Sequence, residues 1–141
     1  MLLYIARHGE AEGPQSTDEA RQLTARGRDE VSRLWRSLAA RGVRPSKLLV
    51  SPYVRAQQTA ELIAGVFPGT PWQDYGLIVP EGSPDFIIED LQHHAWDGAV
   101  LVSHMPFVGL LTSRLTDGGR HGFPVGGVAC IDLELMASGA G

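Results

Sequence analysis

Three short stretches hold the residues of this chain best equipped for chemistry: Arg7-His8-Gly9, Ser51-Pro52 followed by Arg55, and Ser103-His104 followed by Pro106. Two guanidinium groups and two imidazoles suit a phosphoryl group. An arginine fork matches phosphate oxygens in pairs and stays charged at any working pH. An imidazole held amid such charge stays largely neutral. A ring nitrogen is then free to attack phosphorus and split one hard hydrolysis into two steps through a covalent intermediate. Taken singly, each stretch has an ordinary reading. Arg7-His8 suits a solvated loop, Arg55 a helix surface, and His104 a hydrogen-bonded core or loop position. Only convergence makes a site of them, so the question passes to the elements that carry them.

Each stretch ends an apolar run of strand length, at residues 2–6, 47–51 and 99–104. Helical patterns alternate with these runs. Val31, Leu34, Trp35 and Leu38 mark one face of a helix ending near Gly42. Residues 52–67 read as a second helix, with Ser51 as N-cap and Pro52 at the first helical position. "SPDFIIEDLQHHA" reads as a short third helix, and Pro106 leads into a fourth that runs to about Leu115. "WQDYG" is expected as an edge-like strand and "GVACIDLEL" (127–135) as the last one. This alternation predicts an α/β fold, a mostly parallel sheet with helices on both faces. Ligands of such sheets bind at the carboxyl ends of the strands, the edge at which Arg7, His8, Arg55 and His104 would arrive together. The first amides of the 52–67 helix would add a partial positive end, and Gly9 would let the backbone approach a bound group.

The remaining composition narrows the function classes. A length of 141 residues with 43% hydrophobic and 20% charged residues predicts one soluble globular domain over 1–141. No apolar run reaches 18 residues, so no membrane-spanning helix is expected. Met1–Ala6 is too short for the apolar region of a signal peptide, and no basic segment precedes it. The single cysteine, Cys130, excludes an intrachain disulfide, fits a reducing cytoplasm and reads as a small buried hydrophobe. The net charge of −4 hides an asymmetry: ten Lys/Arg against six Asp/Glu in residues 1–55, two against ten in the rest. Arg21, Arg26, Arg28, Arg33, Arg36, Arg41 and Arg44 read as a solvated helix face and its flanks. No aromatic residues interleave with them, so a nucleic-acid partner is not expected. His93 and His94 are adjacent, a poor chelating spacing on a helix. They and His121 read as surface residues, with no metal and no cofactor expected.

"RHGE", "SPYVRAQQTA" and "SHMP", in this order and spacing, resemble the histidine phosphatase superfamily, which includes the cofactor-dependent phosphoglycerate mutases and many phosphatases. The likeness spans nearly the whole chain. "RHGEA", "LTARGRDEV", "LLVSPYVRAQQT" and "LVSHMPFVGLL" are similar to its SixA-type phosphohistidine phosphatase branch. The resemblance implies a three-layer α/β/α sandwich of phosphoglycerate mutase-like form. It also implies that His8 is the nucleophile that becomes phosphorylated, that Arg7, Arg55 and His104 grip the phosphoryl oxygens, and that Ser51 and Thr59 have supporting roles. Many members supply a glutamate as general acid from an insertion after the third strand. Here only about forty residues separate Thr59 from the strand at 99, which leaves no room for a large cap. Glu81, in "VPEGSP", is the one nearby carboxylate considered as proton donor, whereas Glu10 either orients a neighbour or faces water. An open site with a weak or absent acid favours a bulky phosphoprotein and a labile P–N bond. The expected function is therefore a metal-independent phosphohydrolase acting on protein phosphohistidine. The alternatives are a phosphatase of a small phosphorylated metabolite, a phosphate-binding module without turnover and, last, a mutase.

Overall fold

Strand β1 (Leu2–Arg7) is flanked on one side by β4 (Ala99–Ser103), in parallel, and on the other by β5 (Val128–Asp132), antiparallel. Beyond β4 come β2 (Lys47–Val50) and the short edge strand β3 (Trp72–Asp74), both parallel, so the sheet order is β3-β2-β4-β1-β5. These elements belong to a computed structural model that describes residues 1–13, 17–93, 96–116 and 118–133. The register aligns the strand ends. Arg7 is level with Ser103, and Val50 with Val102. The residues that follow, His8, His104 and Ser51, thus leave the sheet at one edge.

Alternation along the strands builds the two outer layers. Tyr4, Ala6, Leu48, Val50, Val100 and Val102 face one side, against Val31 and Trp35 of helix α1 (Ala25–Ala40) and Ala56, Ala60 and Ile63 of α2 (Val54–Val66). Leu3, Ile5, Leu49, Ala99 and Leu101 face the other, against Ile87 of α3 (Pro84–His93) and Phe107, Val108 and Leu111 of α4 (Phe107–Leu115). The result is the expected three-layer α/β/α sandwich without a large insertion. Helix α1 opens on Thr24, whose hydroxyl accepts the Gly27 N–H at 2.9 Å. It closes ahead of Gly42, whose φ of +97° is a conformation glycine adopts without strain. The α1 arginines Arg26 and Arg33 pair along the helix with Glu30 and Asp29, at 2.8 and 2.9 Å. No helix among the described residues is long and apolar enough to cross a membrane.

Two local expectations are corrected. Helix α2 begins at Val54, and Tyr53, not Ser51, is the residue before it. The reason is tertiary: the Ser51 hydroxyl lies 2.6 Å from His104 Nε2 instead of capping the helix. Cys130 is exposed rather than buried. It sits on an edge strand, opposite Tyr4 at the rim of the α1/α2 layer, whereas its neighbour Ile131 turns to the opposite face and is buried. His93 closes α3 and His94 lies outside the described residues. His121 is half-buried, with Nε2 3.3 Å from the Thr116 hydroxyl.

Candidate active site

At the carboxyl edge of the sheet, His8, Arg55 and His104 are all buried, at 6%, 4% and 1% exposure. Three charged or titratable side chains so deep in an otherwise apolar fold require specific partners. The His8 and His104 rings lie with centroids 5.2 Å apart. His8 is held by its Nδ1, 2.7 Å from the Gly9 carbonyl. That carbonyl only accepts, so the ring proton is assigned to Nδ1. The other nitrogen, Nε2, keeps its lone pair and accepts from Arg55 Nε at 3.3 Å. Burial is the main influence that lowers the His8 pKa to about 4, and the charges of Arg55, Arg7 and Arg21 lower it further against the opposing Gly9 hydrogen bond. His8 is thus a neutral imidazole whose Nε2 lone pair is engaged only by the long Arg55 contact, which must open before that nitrogen attacks.

His104 is held from the opposite ring nitrogen. Ser51 Oγ lies 2.6 Å from His104 Nε2 and accepts weakly from the Tyr53 N–H at 3.4 Å, and we assign its own proton to the His104 nitrogen. The His104 proton is then assigned to Nδ1, a buried atom with no hydrogen-bond partner among the described residues. Burial first, then the proximity of His8 and Arg55, bring the His104 pKa down to about 3, with Asp18 opposing. Arg7 donates from Nη1 to the Phe123 carbonyl at 2.7 Å, and its buried Nε likewise lacks a partner among the described residues. Burial and the neighbouring Arg55 charge both lower the Arg7 pKa. Two buried donors, Arg7 Nε and His104 Nδ1, are thus left for a group that can accept hydrogen bonds.

The surrounding residues fix these positions. Thr59 on α2 accepts the Gly9 N–H at 3.0 Å and donates to the Arg55 carbonyl at 2.8 Å, tying the β1 exit to the helix that carries Arg55. Gly9 is needed for a different reason from the one its sequence context suggests. A Cβ there would come within 2.8 Å of Val31 Cγ2 and 3.2 Å of the Gly27 carbonyl, so the missing side chain admits α1, not a ligand. Glu10 turns away to the start of α1, where Oε1 accepts from the Thr24 hydroxyl at 2.8 Å.

The structure brings Arg7, His8, Arg55 and His104 together, with Ser51 and Thr59 directly behind them. Glu81 is exposed on the loop between β3 and α3, and its charge is felt at Tyr53, whose ring packs on His104 with centroids 4.9 Å apart. Two participants escape a reading of the sequence. Tyr53 supports the Arg55 guanidinium as well, at 5.0 Å from the ring centroid. Asp18 binds Arg55 through both its carbonyl, at 2.6 Å, and its carboxylate, at 3.3 Å. Arg21, grouped by sequence with the solvated helix arginines, precedes α1, pairs with Asp18 at 3.2 Å and contributes to the field at His8. "SPYVR" gives a faint cue to Tyr53, next to a site serine. Nothing local points from Asp18 to Arg55.

Comparison with known proteins gives a consistent picture. The family model described as histidine phosphatase superfamily (branch 1) matches residues 3–78. The phosphohistidine phosphatase SixA of Escherichia coli (strain K12) is 30% identical over 150 residues, covering 99% of this chain and 89% of that protein. A solved structure of the protein histidine phosphatase SixA complexed with tungstate superposes with a TM-score of 0.87 at 28% identity, over 95% of this chain and 90% of the other. A mycobacterial glucosyl-3-phosphoglycerate phosphatase superposes with a TM-score of 0.71, over 92% of this chain and 88% of the other. At 14% identity that last likeness speaks for the fold alone.

Proposed function

This chain belongs to the histidine phosphatase superfamily, and from that premise we propose that it is a metal-independent phosphatase that removes phosphate from phosphohistidine on a protein. In the first step His8 Nε2 attacks phosphorus, the P–N bond to the substrate imidazole breaks, and the leaving nitrogen takes a proton from solvent. In the second step water attacks phospho-His8, releases phosphate and returns the ring to its neutral form. Arg7 and Arg55 balance the phosphoryl charge, and the His104 Nδ1–H donates to a phosphoryl oxygen as charge builds there. One observation carries this reading. His8 Nε2 keeps a lone pair beside Arg55, while two buried donors, Arg7 Nε and His104 Nδ1, lack a protein partner among the described residues.

A protein phosphohistidine substrate is supported by the open construction. The connection from α2 through β3 to α3 adds no cap over the site, and Glu81 stands exposed outside the buried cluster. An imidazole leaving group tolerates a weak general acid because its nitrogen is readily protonated, whereas an alkoxide leaving group would not. Residues 1–141 acting as one domain in the cytoplasm complete the reading, with the single unpaired cysteine in its favour. The test is to incubate the protein with a phosphohistidine-bearing protein and quench in base. A base-stable, acid-labile phosphoenzyme is expected in the wild type and not in His8→Ala. Equal phosphate release by both would overturn the catalytic assignment. Turnover of small phosphomonoesters orders of magnitude faster than phosphohistidine would overturn the substrate class.

A further inference from the structure

One side chain is committed to the site from outside the strand ends. Asp18 lies on the 3-10 turn Asp18–Ala20 and meets Arg55 twice. Its carbonyl accepts from Nη1 at 2.6 Å, and its Oδ2 pairs with Nη2 at 3.3 Å. The other carboxylate oxygen accepts from Arg21 Nη1 at 3.2 Å, and Arg21 Nε is fixed on the Glu12 carbonyl at 2.8 Å. The loop bearing Asp18 is closed at its base, where the Glu12 N–H donates to the Gln22 carbonyl at 2.8 Å. It is also pinned to α2, since the Leu23 N–H donates to Gln58 Oε1 at 2.8 Å. The helix that carries Arg55 therefore holds the loop, and the loop holds Arg55.

A long arginine side chain has many rotamers, and ordering its head needs contacts that oppose that entropy. With Nη1 and Nη2 both engaged by Asp18, the remaining nitrogen, Nε, is the one turned to His8 Nε2. We propose that Asp18 is a positioning residue of the phosphoryl site, acting on the reaction through Arg55 by holding its guanidinium with Nε facing the nucleophilic nitrogen. The inference rests on the reading of His8 as nucleophile. It also explains a carboxylate so near a site for anions. Each Asp18 oxygen is matched by a guanidinium, so its repulsion toward a phosphoryl group is offset by the order it imposes on Arg55. Removing it has two opposed effects: a free anion is repelled less, and the transition state is met by a guanidinium out of place.

That opposition supplies the test. In Asp18→Ala, kcat for phosphohistidine is expected to fall about 10- to 100-fold, as for a group displaced by about 1 Å. The inhibition constant of inorganic phosphate should stay level or fall. Both variants keep the backbone carbonyl on Nη1, so they isolate the carboxylate contact to Nη2. Asp18→Asn, which keeps a neutral side-chain acceptor, should lie between Ala and wild type and separates loss of charge from misfolding. Because Asp18 acts through Arg55, the Asp18→Ala/Arg55→Ala double variant should match Arg55→Ala in kcat within about threefold. Losses that multiply in the double variant, or a wild-type kcat in Asp18→Ala, would overturn the proposal. A second readout needs no turnover. The Arg55 Nε–H resonance, assigned by its loss in Arg55→Ala, should exchange with solvent at least about tenfold faster in Asp18→Ala and in Asp18→Asn. Unchanged exchange overturns the positioning role. Failure of the wild type to hydrolyse phosphohistidine would overturn the function and leave this second readout to decide on Asp18.

Discussion

The exits of β1 and β4 place the same residue type at the same edge of the sheet and hold it by opposite ring nitrogens. His8 is tied at Nδ1 to the Gly9 carbonyl and presents Nε2, whereas His104 is tied at Nε2 to the Ser51 hydroxyl and keeps Nδ1. A carbonyl partner only accepts, so it makes its histidine donate there and leaves a lone pair on the far nitrogen. A serine hydroxyl can donate, and with the Ser51 proton assigned to Nε2 its histidine accepts there and keeps a proton on the far nitrogen. Two imidazoles buried to a similar depth thereby become a nucleophile and a hydrogen-bond donor. The difference lies in the partner, not in the histidine.

The sharpest way to break this comparison is to remove each ring in turn. His8→Ala should lower phosphate release by about 10,000-fold or more, since a lost nucleophile has no substitute. His104→Ala should cost about 100- to 1,000-fold, the range for one donor to developing charge, and should still form a phosphoenzyme on His8. Rapid quench in base separates the two outcomes. A phosphoenzyme in His8→Ala, or none in His104→Ala, would reverse the roles.

Acid is the next lever, because both rings share one property. Their folded pKa values, about 4 for His8 and about 3 for His104, lie below the ordinary 6.5. Below pH 6.5 the unfolded chain binds more protons than the folded one, so stability falls as pH falls. The slope is about 1.4 kcal/mol per pH unit for each histidine, the loss running down to the folded pKa values. Urea unfolding between pH 7 and 4.5 should show this slope, and a His8→Asn/His104→Gln double variant should flatten it. An unchanged slope in the double variant would mean that neither ring is held neutral.

How much of this was visible in the sequence follows from the range of each interaction. The strand ends were, because an apolar run that stops at a charged or polar residue is a local pattern, and parallel strands align their ends without further information. Arg7, His8, Arg55 and His104 are therefore where the motifs imply. Ser51 was misread because Ser-Pro before a helical pattern is locally a cap, while its actual partner lies 53 residues on. Asp18 was invisible because its partner is 37 residues away and its own turn is a single 3-10 segment among polar residues. Cys130 looked buried because an apolar run does not tell a central strand from an edge strand. Gly9 reads in the sequence as giving a bound group close approach to the backbone, whereas the neighbour that requires it belongs to α1.

The serine offers a finer test of the same comparison. Ser51→Ala removes the donor that fixes the His104 proton on Nδ1 and leaves the ring in place between Tyr53 and His8. The expected loss in kcat is about tenfold, the value of one buried hydrogen bond that selects a tautomer. Ring nitrogen shifts should report the cause, with wild-type His104 protonated at Nδ1 and Ser51→Ala a mixture. His8 should stay protonated at Nδ1 in both, because the Gly9 carbonyl is untouched. A shift in the His8 tautomer would show that the two exits are coupled rather than set independently.

The smallest effect belongs to Glu10, two residues beyond the nucleophile, where the β4 exit has Pro106 instead. By position alone Glu10 invites a role in proton transfer. Its side chain is engaged elsewhere: Oε1 accepts from the Thr24 hydroxyl at 2.8 Å, while its carbonyl accepts the Thr24 N–H at 2.9 Å. The same hydroxyl caps α1 by accepting from the Gly27 N–H. Glu10 thus orients the cap of a helix whose Gly27 stands against the β1 exit, where a Cβ would lie 2.3 Å from the Glu10 carbonyl. Glu10→Ala should reduce stability by about 1 kcal/mol, the worth of one partly exposed hydrogen bond, and leave kcat within about twofold of wild type. Thermal unfolding and turnover on one preparation check both numbers. A fall in kcat beyond about tenfold at unchanged stability would move Glu10 from the scaffold of the β1 exit into the chemistry, and the two exits would then differ in their acids as well as in their histidines.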